Sequence, residues 1–197
     1  MIFLCVIDTI KDGRKTYVLL KNRLVCFDND FLRFSVPLLS KECNKICILD
    51  KIYVSSQDNG IYVYSKLGKL EELITLGEHI CDVTAGDDAL FAVSYHDNVI
   101  FKIKENVIYK KINLSKTPDS VLFYKNHVYC LANDGFYSYF YLFDKNLNLQ
   151  TSLTCFRGIK SFYFKNDKIF FDSIICKYEI YPNLKIKSIK KHRQKPV

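Results

Sequence analysis

The chain alternates short apolar runs with short polar breaks from one end to the other. Residues 89–114, ALFAVSYHDNVIFKIKENVIYKKINL, hold three runs rich in Val, Ile, Phe and Tyr, separated by HDN and KEN. Runs this short, bounded by Asn, Asp and polar residues, have the length of β-strands rather than helices. The same run and break pattern recurs at 15–39, 51–76, 127–154 and 168–190. A further apolar run precedes each copy: IFLCVI at 2–7, NKICIL at 44–49, HICDVTA at 79–85, DSVLFY at 119–124 and IKSFYF at 159–164.

Each unit is therefore predicted to hold four strands, a to d. The units span 1–39, 40–76, 77–114, 115–154 and 155–190, a period of about 38 residues, close to that of propeller blades. The b and c runs, such as ALFAV and NVIFKI, are apolar on both faces, as strands sandwiched between neighbouring sheets must be. The d runs, such as VIYKKINL and LEELITL, carry charges that suit an outer edge. The b–c breaks contain DNG at 58–60, HDN at 96–98 and NDG at 133–135, residues that tolerate the positive φ of tight turns. One stretch, SKLGKLEELITLGEH at 65–79, also has leucines near helical spacing; the repeat register assigns 70–76 to a d strand instead.

This pattern resembles the β-propeller repeat superfamily, which includes WD-repeat and quinoprotein-like propellers, over residues 1–190. The chain lacks that superfamily's signature dipeptides, so the resemblance implies architecture and carries no functional residues with it. It implies an all-β, five-bladed propeller of four-stranded repeats. The 191–197 segment is left as a basic flexible tail. A β-sandwich or an open meander sheet is the alternative fold. Because the chain starts on a and ends on d, closure is expected from side chains of the fifth blade packing on the first.

Composition agrees with a β-rich globular chain: 49% of residues are hydrophobic, with 15 Phe, 14 Tyr and no Trp. No apolar run reaches the roughly 18 residues a spanning helix needs, so no membrane association is expected. The start, MIFLCVIDTIKDG, lacks a basic n-region and a small-residue cleavage site, and a cytoplasmic location is expected. The eight cysteines sit among apolar neighbours and read as free thiols. Cys43 and Cys47 have C-x3-C spacing, but no second pair accompanies them, so no metal is expected.

No motif for catalysis emerges. His79 and His127 open strands at what read as equivalent ends of their units, and His96 lies in a b–c turn. The inner strands carry Asp82, Asp119 and Lys160 without a repeated ligand set. There is no GxSxG, HExxH, paired CxxC or glycine-rich phosphate loop. The chain reads as no enzyme, with no cofactor and no small-molecule substrate; a ligand-binding or hydrolytic central channel is the minor alternative.

Charge is what the repeat leaves unexplained. Lys and Arg number 29 against 21 Asp and Glu, a formal +8. Six of those net charges fall after Glu179, in Lys185, Lys187, Lys190, Lys191, Arg193 and Lys195, joined by His192. Such a segment reads as an arm for phosphates, with a log–log salt slope of about −4 to −5 for six contacts. A second basic group, Lys11, Arg14, Lys15, Lys21 and Arg23, lies on the a–b and b–c loops of unit 1, next to unit 5 in a ring. The two groups are expected to form one RNA-binding patch. The Lys, Asn, Ile, Phe and Tyr usage and the minimal loops are similar in style to proteins of AT-rich, compacted genomes such as those of microsporidian parasites. That similarity implies a ribosome-associated, hibernation-type factor with ribosomal RNA and ribosomal proteins as partners. The alternative function is a protein–protein scaffold subunit of a cytosolic or nuclear complex, its tail incidental or a nuclear signal.

Overall fold

The computed structural model describes residues 5–76, 79–155, 159–173 and 177–180. Every regular element among them is a strand, and no helix long and apolar enough to cross a membrane is present among the described residues. The strands group into antiparallel meanders. Blade 1 holds β1 (Val6–Asp12), β2 (Lys15–Leu20), β3 (Arg23–Asp28) and β4 (Phe31–Pro37). Blade 2 holds β5 (Cys43–Ile48), β6 (Ile52–Ser56), β7 (Gly60–Tyr64) and β8 (Leu70–Thr75). Blade 3 holds β9 (Ile80–Ala85), β10 (Leu90–Ser94), β11 (Val99–Lys104) and β12 (Val107–Asn113). Blade 4 holds β13 (Thr117–Tyr124), β14 (His127–Asn133), β15 (Ser138–Asp144) and β16 (Leu149–Cys155). In blade 5, β17 (Ile159–Lys165), β18 (Lys168–Ser173) and β19 (Lys177–Ile180) are described. The run expected to supply its fourth strand lies outside the described residues.

The architecture is the propeller expected from the repeat, not a sandwich. The inner strands β1, β5, β9 and β13 line one central cavity of about 310 Å³, where Asp8, Ile46, Val83 and Leu122 face the same space. Strand β17 packs next to β13. The segment with helical leucine spacing is strand β8, because Ile74 pairs with Ile61 and turns into the seam between blades 2 and 3. In blade 1 the inner strand starts at Val6 and continues through polar Lys11 and Asp12, beyond the apolar run at 2–7. Pairing of Lys11 with Thr16 and of Asp12 with Lys15 carries the ladder past the point where apolarity stops. Residues 1–4 of that run lie outside the described residues.

Four apolar seams hold the blades face to face. Tyr17, Leu19 and Leu24 of blade 1 meet Ile46, Ile52 and Tyr64 of blade 2. Tyr53, Ile61 and Val63 meet Val83, Leu90 and Phe101 across the next seam. Phe91, Val93 and Ile100 meet Val121, Val128 and Phe143 across the third. The fourth is aromatic: Phe140 stands edge-on to Phe162 and Phe171 at centroid distances of 4.8 and 4.9 Å. No cluster among the described residues joins blade 5 to blade 1, though Leu20 and Val25, on the face of blade 1 turned away from blade 2, are buried.

Three of the four seams, those between blades 1 and 2, 2 and 3, and 3 and 4, are also strapped at the inner strand beside a repeated irregularity. The ladder between inner and second strands skips one residue in every blade: Ile7, Asn44, Cys81, Asp119 and Lys160. Such a bulge re-aims the side chains beside it. The Asp8 carboxylate, next to the first bulge, accepts the Ile46 N–H of blade 2 at 3.0 Å. Asn44 donates to the Ile80 carbonyl of blade 3 at 3.3 Å. Asp82 accepts the Val121 N–H and the Ser120 hydroxyl of blade 4, both at 2.8 Å. Each strap spans 36 to 39 residues, one repeat. Blade 3 is tied to blade 4 a second time, where buried Lys102 donates to the Lys145 carbonyl at 2.7 Å and to Asn146 at 3.1 Å.

Asp82 is fully buried, and that burial pushes its carboxyl up to about 6, against the opposing pull of Lys45 and the bonds from Val121 and Ser120. A raised carboxyl binds its proton more tightly in the folded state. Its stabilising contribution is therefore complete below pH 3.8 and lost as pH rises through about 6. The shift corresponds to about 3 kcal/mol. Chemical denaturation of the wild type and Asp82→Asn should show the wild type gaining up to about this amount relative to the variant between pH 7 and pH 4. Asp82→Ala, which leaves the Val121 N–H and the Ser120 hydroxyl unpaired, should cost about 2–3 kcal/mol more than Asp82→Asn at pH 7.

Candidate functional site: an aromatic loop face

The two rims of the propeller differ in their connections. On one, the a–b and c–d hairpins are tight, and four are closed by consecutive residues with positive φ: Asn29–Asp30, Glu105–Asn106, Lys125–Asn126 and Asn166–Asp167. Such two-residue turns match the twist of the flanking strands and add little surface. The other rim, formed by b–c turns and blade-to-blade connections, carries the exposed aromatics Tyr95, Phe136 and Tyr137 in its turns.

The clearest feature of this loop face is the β14–β15 turn. Asp134 Oδ1 accepts the backbone N–H groups of Phe136 at 3.0 Å and Tyr137 at 2.8 Å. Its Oδ2 accepts the Tyr139 hydroxyl at 2.7 Å and the Lys116 ammonium at 2.9 Å. Lys116 comes from the connection between blades 3 and 4 and also lies 4.7 Å from the Tyr139 ring centroid. Gly135, at φ +88°, reverses the chain inside this clamp. The bond from the Tyr137 N–H, then those from Tyr139, Lys116 and the Phe136 N–H, hold the Asp134 carboxyl well below the usual range. What the clamp presents is Phe136 at 70% and Tyr137 at 56% exposure.

The neighbouring b–c turn of blade 3 presents Tyr95, 49% exposed. His96 stacks against His79 with ring centroids 3.7 Å apart. The His79 backbone joins two turns: its N–H donates to the Gln57 carbonyl at 2.7 Å, and its carbonyl accepts the Tyr95 N–H at 3.1 Å. His127 follows an a–b turn and so lies on the opposite rim, which corrects the reading of His79 and His127 as equivalent. Leu39 is exposed on the connection between blades 1 and 2, above a buried Ser40 bonded to Ser56 at 2.9 Å.

The basic residues expected to form one patch are divided by the strands that carry them. Lys11, Arg14 and Lys15 stand at the β1–β2 hairpin, on the tight-turn rim. Lys21 and Arg23 stand at the β2–β3 turn, on the loop face, with the length of β2, about 17 Å, between the two groups. Arg14 lies 3.9 Å from Asp28, and Arg23 is spent inside blade 1, donating to the Ser35 hydroxyl and carbonyl at 2.7 Å each. Lys185, Lys187, Lys190, Lys191, His192, Arg193 and Lys195 lie outside the described residues. Sequence reasoning missed Phe136 and Tyr137 because it counted them with the β15 run; the signal was the Asp134–Gly135 pair just before them.

Among the described residues, no group of three or more His, Cys, Asp or Glu could hold a metal ion. Burial pushes the thiols away from the reactive form: Cys43 up to about 11 and Cys81 up to about 12, with Cys47 and Cys130 also raised well above the usual thiol range.

No protein-family model matches the chain, and no curated protein sequence does. Solved structures do. BBS1N in complex with ARL6DN aligns with a TM-score of 0.75 at 16% identity, over 95% of this chain and 66% of that one. The Pan2 WD40 domain of Neurospora crassa aligns with a TM-score of 0.75 at 9% identity, over the same shares. Hydrazine synthase of Kuenenia stuttgartiensis aligns with a TM-score of 0.71 at 8% identity, over 87% of this chain and 64% of that one. The chain thus has the β-propeller fold, and it spans about two thirds of the length of these structures.

The Asp134 clamp makes a pH prediction. Because the carboxyl is depressed, its contribution is present above its ordinary value of 3.8 and is lost as pH falls through the lower folded value. In an NMR titration, the Phe136 and Tyr137 amides should hold their folded shifts until well below pH 3.8. In Asp134→Ala the same two amides should exchange at nearly solvent rates while the strand amides keep their protection.

Proposed function

We propose that this protein is a non-enzymatic interaction scaffold that receives a protein partner on its loop face, with Phe136, Tyr137 and Tyr95 as anchors. The observation that carries this reading is the Asp134 clamp. Two large apolar side chains are kept in solvent by four hydrogen bonds that fix the turn before any partner arrives. Aromatic anchors dominate the energy of protein interfaces, and a pre-ordered loop avoids the ordering cost of binding. The strongly raised carboxyl, Asp82, is committed to a strap between blades, and the most raised thiols are buried, which supports a role without catalysis. That one structure with this fold, BBS1N, is solved in complex with ARL6DN also supports partner binding.

The ribonucleoprotein reading rests on the tail at 185–195. The basic residues of blade 1 lend it little support, since they face two different rims.

Affinity purification from native lysate with wild type, Phe136→Ala/Tyr137→Ala and Lys190→Glu/Lys191→Glu/Arg193→Glu separates the two. The scaffold reading expects a stoichiometric protein partner that resists RNase and is weakened about tenfold or more by the aromatic double variant. Binding that ignores the aromatic variant, disappears with RNase and depends on the tail cations would replace it with the ribonucleoprotein reading.

A further inference from the structure

On the rim opposite the loop face, blades 2 and 3 part around a cavity of about 540 Å³, within the range of about 300–1,000 Å³ typical of ligand pockets. Its wall is apolar: Leu49 from blade 2, with Leu90 and Ile103 from blade 3. Its mouth is acidic, with Asp50 from the β5–β6 turn, Asp87 and Asp88 from the β9–β10 turn and Glu105 from the β11–β12 turn. The nearby lysines offset it only in part. Lys51 is held by Glu71 at 2.9 Å and Lys104 by Asp88 at 2.5 Å. Asp50 accepts the Tyr53 hydroxyl at 2.7 Å. Asp50 also acts on Lys51 and Glu105 on Lys104, so that four carboxylates at the mouth share two lysines already held by Glu71 and Asp88 and the mouth stays net acidic, on a chain whose formal charge is +8.

The chemistry of this cleft selects its occupant. An anion meets four carboxylates against two lysines that are already engaged. A wholly apolar group fits the wall but desolvates the mouth without pairing it, which is costly. A bare divalent cation needs converging oxygens, and these side chains do not form a group able to hold one. What satisfies wall and mouth together is an aliphatic stem ending in a cation, which lays its methylenes on apolar surface and keeps its charge at the rim. We propose that the cleft between blades 2 and 3 receives an arginine or lysine side chain of a protein partner, with Leu49 against the stem, the buried Leu90 and Ile103 closing the floor, and Asp50, Asp87 and Glu105 around the charged head. This site lies on the opposite rim from the aromatic anchors and stands or falls independently of them.

The test is an NMR titration of the isotope-labelled full chain with acetyl-Gly-Arg-Gly-amide, its lysine counterpart and its uncharged citrulline counterpart, each at low and at high salt. Expected are amide shifts confined to residues 49–53, 87–90 and 103–106 with the arginine or the lysine peptide. The citrulline peptide should bind about tenfold more weakly, and added salt should weaken the charged peptides, because pairs at a solvent-open mouth are screened. In Asp50→Asn/Asp87→Asn/Glu105→Gln all three changes lie in turns, and the asparagine at position 50 keeps an oxygen to accept the Tyr53 hydroxyl, so resonances away from residues 49–53, 87–90 and 103–106 should stay in place while the arginine-induced shifts vanish. Shifts elsewhere, equal binding of the citrulline peptide, or unchanged binding by the triple variant would overturn the proposal. Calcium or magnesium producing the same shifts at lower concentration would overturn it in favour of a metal site.

Discussion

Among the described residues the five sheets share no ladder with one another, so the molecule depends on what crosses the gaps between them. At the outer radius that role falls to side-chain packing, which is non-directional and would tolerate sliding. At the inner radius the constraint is directional: a side chain beside the bulge of one blade bonds a backbone group one repeat further on, as Asp8 does with Ile46 and Asp82 with Val121. A buried backbone N–H left unpaired is expensive, and these contacts fix the heights of blades 1 to 4 against one another. The raised Asp82 carboxyl shows that the strap carries a desolvation cost, offset by the three groups that donate to it.

Fixing the blades in this way leaves the two rims free to differ. The tight-turn rim spends its polar residues on neighbouring blades: Asn106 donates to Glu72 at 2.5 Å, and Lys110 reaches the Asn146 carbonyl at 2.7 Å. The loop face spends fewer between blades and more on shaping its own turns, as the Asp134 clamp and the Ser40–Ser56 pair show.

Much of the fold was legible in the chain, because alternation of apolar runs with Asn, Asp and Gly breaks is itself the record of strand and hairpin. The strand at 70–75 could be separated from a helix by the repeat register alone. What the pattern could not show was register. A single skipped residue, such as Cys81, leaves the apolar alternation nearly unchanged yet decides whether Asp82 points to solvent or to the next blade. Rim assignment was lost for a related reason: Lys15 and Lys21 are close in sequence, but a strand of six residues carries its two ends to opposite faces. The aromatic site was hidden because Phe136 and Tyr137 continue an apolar run. Only the Asp134 carboxylate, by taking their N–H groups, removes them from the strand.

The outer strands bear on how the protein behaves when concentrated. The four described ones, β4, β8, β12 and β16, begin with solvent-exposed apolar side chains, Phe31, Leu70, Val107 and Leu149, on an edge with unpaired backbone groups, the combination that seeds fibrils. One or two residues later every one of these edges loses its regular spacing, at Arg33, Glu71, Tyr109 and Gln150. A second molecule approaching edge to edge finds too short a stretch of matched donors and acceptors to add a strand. The rim can therefore stay adhesive to side chains while refusing to template its own polymerisation.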